Sequence, residues 1–451
     1  MKTRRSVIQL IKWKAYKRPV AGALAVLLLG QILLFAGTAK VSAADTPGID
    51  LKLEVKAAIL IDADSGEVLY ELNADAPLAP ASMAKMMTEY LVMEALQTGK
   101  IKMDTMVPTS KYAASVGGSG GLLAEGDEHT VNDMFAGMSI NSANDSTIAL
   151  AELVGGGSEE SFAGMMNDKA KELGLSSNAH FINSTGLDRS DLGEYAPKSI
   201  EGETIFTARD ASILAQRLLK DHKEILAYTK IPSQKFRPKD KTPMINWNWM
   251  LEGNKDIQNF KKYAYIGMDG LKTGHTDAAG YCFTGTAERN GMRLISVVMG
   301  AAFGLPDNQV NQGKRFIETR KLMDYGFNNF EIKQIIAPKT AVESLPDVKV
   351  KKGVATKVSV VTESALSLVV KKGMTPDQIK QEAVSYDANK IVAPIKAGDP
   401  LGTLTVTYNN KKHEIKLVAT EAVKKGSWIR LLFRAIGKFF SGLFKGIKNI
   451  F

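Results

Sequence analysis

The dipeptide Asn290-Gly291 lies between two runs of mainly apolar residues and restricts the fold of this chain more than any other local feature. Asn and Gly both tolerate the positive φ angles of a two-residue hairpin turn, so the dipeptide favours two antiparallel strands. These strands are predicted at Tyr281–Glu288 and Met292–Gly300. A second hairpin is predicted near the start of the chain, with strands at Ala57–Asp62 and Glu67–Leu72 joined by four turn-forming residues.

Between the two hairpins the sequence carries the signals of helices. Thr130 is a predicted N-cap, and Thr207 opens a segment that resembles a capping box with aspartate in place of Glu or Gln. The glycine-rich residues 115–121 are predicted to form a flexible loop. A further strand is predicted at Gly270–Thr273 and a closing helix at Arg315–Phe327. Strands at both ends of the region with helices between them predict an α+β fold, an antiparallel sheet with helices packed on it.

The character of the sequence changes at about residue 337. Short valine-rich runs alternate with Gly, Pro and Asn-Asn turns, which predicts a small all-β sandwich domain over residues 337–422. The predicted strands are Val348–Val350, Lys357–Val361, Leu366–Val370, Ile391–Ala393, Leu401–Tyr408 and Glu414–Val418. We find no cluster of catalytic residue types in this region, so residues 44–336 are predicted to form a catalytic domain.

Most of the positive charge of the chain lies at its two ends. The net charge is +10, but residues 1–43 carry eight Lys and Arg, residues 424–451 carry seven, and neither segment has an acidic residue. Residues 44–423 therefore have a net charge of about −5. A nucleic-acid-binding domain would carry its positive charge across a folded face, so this distribution argues against nucleic acid as a partner.

Residues 1–43 have the form of a secretory signal peptide. A basic stretch is followed by an apolar stretch from Val20 to Ala36 and by small residues at Val41–Ala44. An uncleaved membrane anchor is the alternative, but the apolar stretch is short for a hydrocarbon core of ~30 Å. The protein is therefore predicted to be exported and to act outside the cytoplasm.

Residues 423–451 are predicted to form an amphipathic basic helix. Apolar and aromatic residues recur from Trp428 to Ile450 at three- and four-residue steps, with Arg and Lys between them. This pattern is typical of a helix that lies in a membrane interface. The alternative is a terminal helix packed on the protein's own core, which the lack of acidic residues and the glycines at 437, 442 and 446 disfavour. The prediction is a peripheral membrane anchor at Ser427–Phe451.

The single cysteine, Cys282, excludes an intramolecular disulfide and a cysteine-based zinc site. On its predicted strand it is interpreted as a small buried residue. The five histidines are scattered and include no His-x-x-x-His pair. The sequence therefore predicts no metal centre and no cofactor.

Ser82 and Lys85 are three residues apart at the predicted start of a helix, after Pro80 and Ala81. Residues with this spacing lie on one helix face with Cβ atoms roughly 5–6 Å apart, so the amine can reach the hydroxyl. A lysine kept neutral by burial and nearby cations can take the hydroxyl proton and activate the serine as a nucleophile. The N–H groups at a helix start favour a developing oxyanion. Alone, the pattern is weak, because serine and lysine are common and a chance Ser-x-x-Lys on a solvated helix is the usual explanation.

Two further triplets contain residue types suited to acyl transfer. Ser142-Ala143-Asn144 lies where a predicted helix breaks, so its hydroxyl can relay a proton and its carboxamide can hold a lysine in place. Lys272-Thr273-Gly274 lies on a predicted strand, where the lysine and threonine can bind a carboxylate and the glycine lets a substrate backbone approach. Each triplet alone is weak, because Ser and Asn are common in ordinary turns.

Taken together, the three motifs resemble the active-site motifs of the penicillin-recognising serine acyltransferases, in order and with about 60 and 130 residues between them. Within that group the chain is most similar to the low-molecular-mass penicillin-binding proteins that are D-alanyl-D-alanine carboxypeptidases. The longer signatures of the family are legible as residues 80–88 (PASMAKMMT), 246–251 (NWNWML), 269–276 (DGLKTGHT) and 293–300 (RLISVVMG). The resemblance extends through the β-domain and the terminal helix.

The resemblance implies a role for each motif residue. Ser82 would be the acylated nucleophile and Lys85 its general base, while Ser142 would relay a proton to the leaving amine and Asn144 would orient Lys85 and the peptide. Lys272 and Thr273 would face the substrate carboxylate beside Gly274, and His275 would contribute its backbone N–H to the oxyanion hole together with that of Ser82. The family also has a downstream carboxylate-binding arginine, for which Arg315 is only a candidate, because residues 301–310 depart from the family pattern.

The function implied is that of a serine-type D-Ala-D-Ala carboxypeptidase that trims peptidoglycan stem peptides at the extracytoplasmic face of the membrane. Its expected partners are a stem peptide ending in D-Ala-D-Ala, β-lactams as covalent inhibitors, and the membrane surface. Two alternatives are weighed against this interpretation. A serine β-lactamase would need an acidic deacylation loop, for which the sequence offers no convincing counterpart. A non-catalytic wall-binding scaffold would not need all three motifs intact.

Overall fold

The computed structural model of the protein describes residues 49–448, so the predicted signal peptide, residues 1–43, lies outside the described residues. The helices are α1 (Lys85–Gln97), α2 (Lys111–Ser115), α3 (Val131–Asn141), α4 (Asn144–Val154), α5 (Glu159–Glu172), α6 (Ala208–Asp221), α7 (Leu226–Thr229), α8 (Gln309–Asn329) and α9 (Trp428–Lys448). Short 3₁₀ turns lie at Ala81–Ala84, Arg189–Tyr195, Lys223–Ile225, Glu252–Asn254 and Pro376–Gln378.

The strands of the first domain are β1 (Ala57–Asp62), β2 (Val68–Leu72), β3 (Met106–Pro108), β4 (Glu128–Thr130), β5 (Ser233–Gln234), β6 (Met244–Ile245), β7 (Met268–Thr276), β8 (Gly280–Arg289) and β9 (Met292–Ala301). Five of them form one antiparallel sheet in the order β2-β1-β9-β8-β7. Both predicted hairpins are present, and β1 pairs with β9 to join them. Strand β7 lies at the edge of this sheet, so one side of its backbone is left for other contacts.

Helices cover both faces of this sheet, as strand β1 illustrates. Ala57, Ile59 and Ile61 share one apolar core with residues of α1, α3, α4 and α6. Ala58 and Leu60 share the core on the other face with residues of α8. Because successive side chains of a strand point to opposite faces, a strand covered on both sides is apolar along most of its length, as this one is up to its last residue, Asp62. This arrangement confirms the predicted α+β fold.

The predicted helix signals correspond to real caps. The Thr130 side chain accepts a hydrogen bond from Asp133 N at the start of α3. Thr207 and Asp210 form a capping box at the start of α6, with aspartate in the reciprocal position as the sequence suggested. Helix α8 begins six residues before the predicted Arg315, since Asn308 caps it by accepting from Asn311 N. The first turns of α8 lack the apolar repeat from which the helix was predicted.

The second domain is the predicted β-sandwich. Its strands are β10 (Phe330–Ile336), β11 (Asp347–Lys349), β12 (Lys357–Thr362), β13 (Leu366–Lys371), β14 (Lys380–Ser385), β15 (Pro400–Tyr408) and β16 (Lys411–Ala419). A β10-β13 pair and a five-stranded sheet in the order β11-β12-β16-β15-β14 share one apolar core.

Strands β10 and β14 of this domain were not predicted, and the predicted strand at Ile391–Ala393 was wrong. Strand β14 is mostly exposed and polar at the sheet edge, so it has no apolar alternation to reveal it. The predicted strand Ile391–Ala393 makes only a single bridge, between Val392 and Lys351. Pro394 follows it directly and has no N–H with which to continue a ladder.

Helix α9 spans Trp428–Lys448, within the segment predicted from Ser427 to Phe451, whose last three residues lie outside the described range. Five large apolar side chains near its start are exposed: Trp428, Ile429, Leu432, Phe433 and Ile436. Within residues 49–448, no helix is both long enough and apolar enough to cross a bilayer.

Candidate active site

Ser82 lies in the 3₁₀ turn Ala81–Ala84, and the α-helix proper begins at Lys85. The sequence predicted that Ser82 itself opens the α-helix, so this detail is corrected. In a 3₁₀ turn residues i and i+3 eclipse each other, which aligns the serine with the lysine more closely than an α-helix does. Lys85 Nζ lies 2.9 Å from Ser82 Oγ. The serine is half-buried, whereas the lysine is fully buried.

The Lys85 amine has three polar neighbours. Besides the serine hydroxyl, it donates to Asn144 Oδ1 at 2.7 Å and to the Thr185 carbonyl at 2.9 Å. Burial lowers the pKa of Lys85 well below the ordinary value of a lysine, and the nearby Lys272 ammonium lowers it further. Three carboxyl groups, those of Glu89, Glu159 and Asp145, oppose this shift. The direction of this shift is the one that activation of a serine by a neutral amine requires.

Ser142 and Asn144 are presented by the break between α3 and α4. Ser142 ends α3 with φ of +58°, Ala143 is extended, and Asn144 begins α4. A left-handed residue at a helix end turns the chain sharply, so the two side chains project from the same turn. Both residues are buried. The sequence predicted this break between the two helices, and the structure has it.

The glycine-rich loop at residues 115–121 holds Asn144 from the other side. Asn144 Nδ2 donates to the Gly117 carbonyl at 2.7 Å, and its backbone N–H donates to the Ser119 carbonyl. A Cβ atom on Gly118 would lie 2.9 Å from Asn144 Nδ2, so the glycine permits this close approach. The segment that was predicted only as a flexible loop thus fixes the orientation of the carboxamide.

Lys272 lies on the edge strand β7, and its Nζ donates to Ser142 Oγ at 2.8 Å. Ser142 is therefore paired with Lys272 in this state of the site. Lys272 is buried, and burial lowers its pKa, with the Arg315 cation contributing in the same direction and the Glu89 carboxylate opposing it. The break between α3 and α4 joins the two serine–lysine pairs, because its Asn144 contacts Lys85 and its Ser142 contacts Lys272.

Gly274 lies at a close contact between strand β7 and the turn that carries Ser82, which the sequence did not predict. A Cβ atom at this position would lie 2.5 Å from the Pro80 carbonyl oxygen and 3.2 Å from Ser82 N. The absence of a side chain therefore lets strand β7 pack directly against the turn that carries the nucleophile. The expectation that the glycine lets a substrate backbone approach stays a prediction, and this contact is a second reason for a glycine here. Thr273 is buried beside it.

His275 is exposed, and its ring stacks on Tyr281 with centroids 4.1 Å apart. Burial of the ring on that face lowers the pKa of His275. Arg315, the candidate carboxylate ligand, is buried and donates from Nη1 to the Gly274 carbonyl at 3.2 Å. Cys282 is buried, as predicted, and burial raises the pKa of its thiol to about 11.

Sequence reasoning missed the segment at residues 183–187. The Asn183 side chain accepts from the backbone N–H groups of Thr185 and Gly186, which makes a tight turn and aims the Thr185 carbonyl at Lys85. Gly186 has φ of +77°, and a Cβ there would lie 2.0 Å from the Ala81 carbonyl oxygen. Asn-x-x-Gly is a recognisable turn signal, but a carbonyl ligand leaves no trace in the sequence.

Two buried carboxyl groups were also missed. Glu159 accepts from Ser184 N at 2.9 Å and from the Tyr112 hydroxyl at 2.7 Å, so it supports the turn that holds Lys85. Glu89 lies one helical turn after Lys85 and accepts from Ser139 Oγ at 2.9 Å. Burial raises the pKa of both groups. The position of Glu89 within the apolar helix α1 is a signal, because a fully buried carboxyl group is unusual. Glu159 gives no such signal, since it is the first residue of α5 and lies next to Glu160.

The fold and this pair of serine–lysine contacts define a candidate serine acyl-transfer centre on an α+β scaffold with an added β-sandwich. Family comparison agrees in both domains. Residues 40–303 match the model for D-alanyl-D-alanine carboxypeptidase, and residues 330–425 match that for the C-terminal domain of penicillin-binding protein 5.

Individual relatives cover nearly the whole chain. The chain is 38% identical to D-alanyl-D-alanine carboxypeptidase DacF of Bacillus subtilis, over 92% of this chain and 97% of that protein. It is 35% identical to DacC of Escherichia coli, over 88% of this chain and 90% of that protein. Among solved structures, a peptidoglycan synthesis regulatory factor from Streptococcus pneumoniae aligns with a TM-score of 0.69 and 32% identity, over 82% of this chain and all of that one.

The chain belongs to the D-alanyl-D-alanine carboxypeptidase family. The resemblance inferred from the three motifs is confirmed, and so is the class of enzyme, a penicillin-binding serine peptidase that hydrolyses D-Ala-D-Ala peptides in cell-wall maturation.

Proposed function

We propose that this carboxypeptidase works through an acyl-enzyme on Ser82, with Lys85 as the general base. The set of contacts around Lys85 Nζ is the observation that carries the proposal. Two of its three neighbours, Asn144 Oδ1 and the Thr185 carbonyl, are oxygens that can only accept hydrogen bonds. A neutral amine has two N–H donors and one lone pair, so these acceptors occupy both donors. The lone pair is left facing Ser82 Oγ, 2.9 Å away.

In the acylation step, Lys85 takes the hydroxyl proton as Ser82 Oγ attacks the carbonyl carbon of the terminal D-Ala-D-Ala peptide bond. The new C–O bond forms, the C–N bond of the tetrahedral intermediate breaks, and the leaving D-alanine amine takes up a proton. Ser142 lies beside Lys272 and supplies the relay to that amine. Water then attacks the ester, which releases the shortened peptide and restores Ser82.

Binding of the terminal carboxylate falls to Lys272 and Thr273. Lys272 Nζ donates to Ser142 Oγ and to the Thr273 carbonyl, which leaves its third N–H for a substrate anion. The carboxylate would thus be held at the edge strand β7, next to the nucleophile. The backbone N–H groups of Ser82 and His275 are proposed as the oxyanion hole, where each donor is typically worth about 3–4 kcal/mol of transition-state stabilisation. The His275 side chain has no part in proton transfer.

The domain organisation proposed for the whole chain is a signal peptide at residues 1–43, a catalytic domain at 44–336, a β-domain at 337–422 and a membrane-anchoring helix at 423–451, with β10 (Phe330–Ile336) moved to the β-domain because it pairs with β13. The exposed apolar stripe at the start of α9 supports the last of these. The enzyme would then act at the extracytoplasmic face of the cell membrane, held there peripherally.

The test is intact-mass analysis of the protein with benzylpenicillin, followed by peptide mapping, together with release of D-alanine from a pentapeptide ending in D-Ala-D-Ala. We expect one penicilloyl adduct on Ser82 and loss of both activities in Ser82→Ala. Ser161→Ala, an exposed serine on α5, is the matched control and should behave as the wild type. Release of D-alanine at the parent rate by Ser82→Ala would refute the assignment. Rapid turnover of penicillin without release of D-alanine would instead indicate a β-lactamase.

A further inference from the structure

Two segments of the β-domain meet where the chain enters α9. The first is the turn at residues 351–354, between β11 and β12, and the second is residues 423–427, which lead into the helix. Gly426 N donates to the Lys352 carbonyl at 2.8 Å, and Val354 N donates to a carbonyl of the second segment at the same distance. The two segments therefore form one piece of structure, which we call the α9 junction.

Helix α9 is fixed to this junction by an arginine. Arg434 donates from Nη1 to the Gly353 carbonyl and from Nη2 to the Val354 carbonyl, each at 3.0 Å. Two hydrogen bonds from one planar guanidinium fix an orientation as well as a distance. The junction is thereby held beside the exposed apolar stripe of α9, while the Arg434 cation is turned towards the protein.

The α9 junction lies at the end of the β-domain opposite the catalytic domain. Strand β16 begins at Lys411, whose amine contacts Glu67 of the catalytic domain, and it ends at Ala419. Strand β12 leads from the junction to Val360, which pairs with Ala419, so the junction lies beyond this end of β16. A strand of this length spans about 30 Å, which separates the junction from the catalytic domain.

The α9 junction is basic. It contains no acidic residue, and its exposed lysines are Lys351, Lys352, Lys424 and Lys425. Within residues 49–448, the amines of the last three have no hydrogen-bond or ion-pair partner. Val354, the one exposed apolar side chain of the junction, is 43% exposed. Cations beside an exposed apolar stripe are the combination that an anionic bilayer surface attracts.

We propose that the α9 junction is a second membrane contact, which binds the anionic headgroups of phospholipids while α9 lies in the interface beside it. The inference rests on the membrane anchor proposed above. It goes beyond that anchor because it assigns binding to residues of the folded β-domain rather than to the helix.

The helix and the junction contribute different terms to binding. The apolar stripe of α9 supplies burial of apolar surface, and the lysines of the junction supply attraction to headgroups. This attraction is effective only within a Debye length, about 8 Å at physiological ionic strength. Because the junction itself exposes little apolar surface, its lysines act only while α9 holds them at the bilayer.

The variant Lys352→Gln with Lys424→Gln and Lys425→Gln removes three charges but no hydrogen bond between the two segments. Lys351 is kept, because its amine contacts the Asn389 side chain. The measurement is the partition coefficient on sedimented vesicles of mixed phosphatidylcholine and phosphatidylglycerol. A lysine at an anionic surface contributes about fivefold, so three contribute up to about a hundredfold, and we expect a loss of at least about tenfold. On phosphatidylcholine alone the variant should bind as the wild type does.

Lys371→Gln with Lys380→Gln and Lys412→Gln is the matched control. These three lysines are also exposed, and their amines have no partner within the described residues 49–448. They lie at the other end of the β-domain, since Lys380 and Lys412 both pair with Thr407, and Lys371 N donates to the Tyr408 hydroxyl. The control should lose less than about twofold in partitioning, because its charges lie beyond the Debye length. Both variants should be acylated by benzylpenicillin at the wild-type rate.

A fluorescent label tests the contact directly. Ala355 is exposed directly after the turn, and Cys282 is buried, so a bimane reacts selectively with Ala355→Cys. Vesicles with a nitroxide on the headgroup should quench this label but not the same label on Lys412→Cys. This measurement also serves if the triple variant of the junction does not fold, as judged by its melting temperature.

The outcomes separate this inference from the anchor on which it rests. A loss of binding confined to the junction variant, with quenching at position 355, supports the inference. Equal losses in the two triple variants, or no loss in either, would overturn it while the wild type still binds. If the junction variant binds vesicles normally but binds soluble polyphosphate more weakly, the junction recognises a polymer and not a lipid surface. If the wild type does not bind anionic vesicles, the anchor and the inference both fail.

Discussion

Lys85 Nζ lies 2.7 Å from Asn144 Oδ1, and both side chains are buried, although 59 residues separate them in the chain. The carboxamide accepts from the amine without adding a charge. This neutrality matters, since a carboxylate in the same place would favour the ammonium form of the lysine. The asparagine thus orients the base and leaves its lowered pKa intact.

The variant Asn144→Asp tests this relationship. The new carboxylate should raise the pKa of Lys85, so that less of the neutral amine is present at pH 7 and acylation by benzylpenicillin slows by about ten- to a hundredfold. The neutral amine returns as the pH rises, so the acidic limb of the rate profile should move to higher pH. The measurement is the acylation rate between pH 5 and pH 10.

Asn144→Ala is the control for this prediction, because it removes the same hydrogen bonds without adding a charge. It should lower the rate with no upward shift of the acidic limb. Equal profiles for the two variants would mean that the charge at position 144 has no effect on Lys85.

Gly118 provides a second test, of the loop that holds Asn144. It has φ of +82°, and a Cβ atom there would lie 2.9 Å from Asn144 Nδ2. In Gly118→Ala the carboxamide must move, and a displacement of about 1 Å at a catalytic group can cost up to a hundredfold in rate. We expect acylation to slow by about tenfold or more.

Gly99→Ala controls for backbone strain in that experiment. Gly99 has a similar φ of +73°, but no atom lies within 4 Å of the position its Cβ would take. Both variants should lose about 1–2 kcal/mol of stability from a left-handed alanine, measured by denaturant unfolding, but only Gly118→Ala should slow acylation. A rate loss in both would trace the effect to general destabilisation.

The geometry within two motifs of the proposed site could be predicted from the sequence because the spacing inside each motif is local. Ser82 and Lys85 lie within one turn, and Ser142 and Asn144 flank one helix break, so neighbouring residues already fix their geometry. The supporting residues could not be predicted in this way. The Thr185 carbonyl reaches Lys85 across 100 residues, and any residue type supplies a carbonyl.

The elements of the fold divide in the same way into those with a local sequence signal and those set by distant contacts. The two predicted hairpins and the starts of α3 and α6 have local signals and were found to within one residue. Strand β14 has none, since it is polar and its place in the sheet is set by its partner β15. Gly274 was found as part of a motif, but its contact with Pro80 was not predicted, because that contact depends on how β7 packs against a distant turn.

Arg293 offers a prediction about stability. Its guanidinium binds both oxygens of Asp269, at 2.8 and 2.9 Å, and Glu288 at 2.7 Å, with only about a tenth of its side chain exposed. Arg293→Met should lower the free energy of unfolding by about 1–3 kcal/mol. The loss should not exceed this range, because both carboxylates are partly exposed to solvent.

Lys171→Met is the matched control for this prediction. Lys171 pairs with Asp168 at 3.0 Å, but both side chains are largely exposed, so the change should cost roughly 0–0.5 kcal/mol. Denaturant unfolding of both variants supplies the comparison. Similar losses in the two would show that the buried network around β7 contributes no more than a surface pair.

The last prediction concerns α9 and the membrane. Ile429, Leu432, Phe433 and Ile436 form an exposed apolar stripe on one face of the helix, and the arginines lie off this stripe. A helix of this kind gains free energy from burying its apolar side chains in the interface and from attraction of its cations to anionic headgroups. The protein should therefore sediment with vesicles that contain phosphatidylglycerol, and less so with phosphatidylcholine vesicles or at high salt.

Leu432→Glu with Phe433→Glu places two charges on this stripe and should abolish sedimentation, as should deletion of Ser427–Phe451. Val384→Glu is the control, because it makes the same kind of change at an exposed apolar residue of the β-domain. All variants should keep the wild-type rate of acylation, since α9 contributes no residue to the site. Sedimentation that survives the deletion would place the membrane contact in another part of the chain.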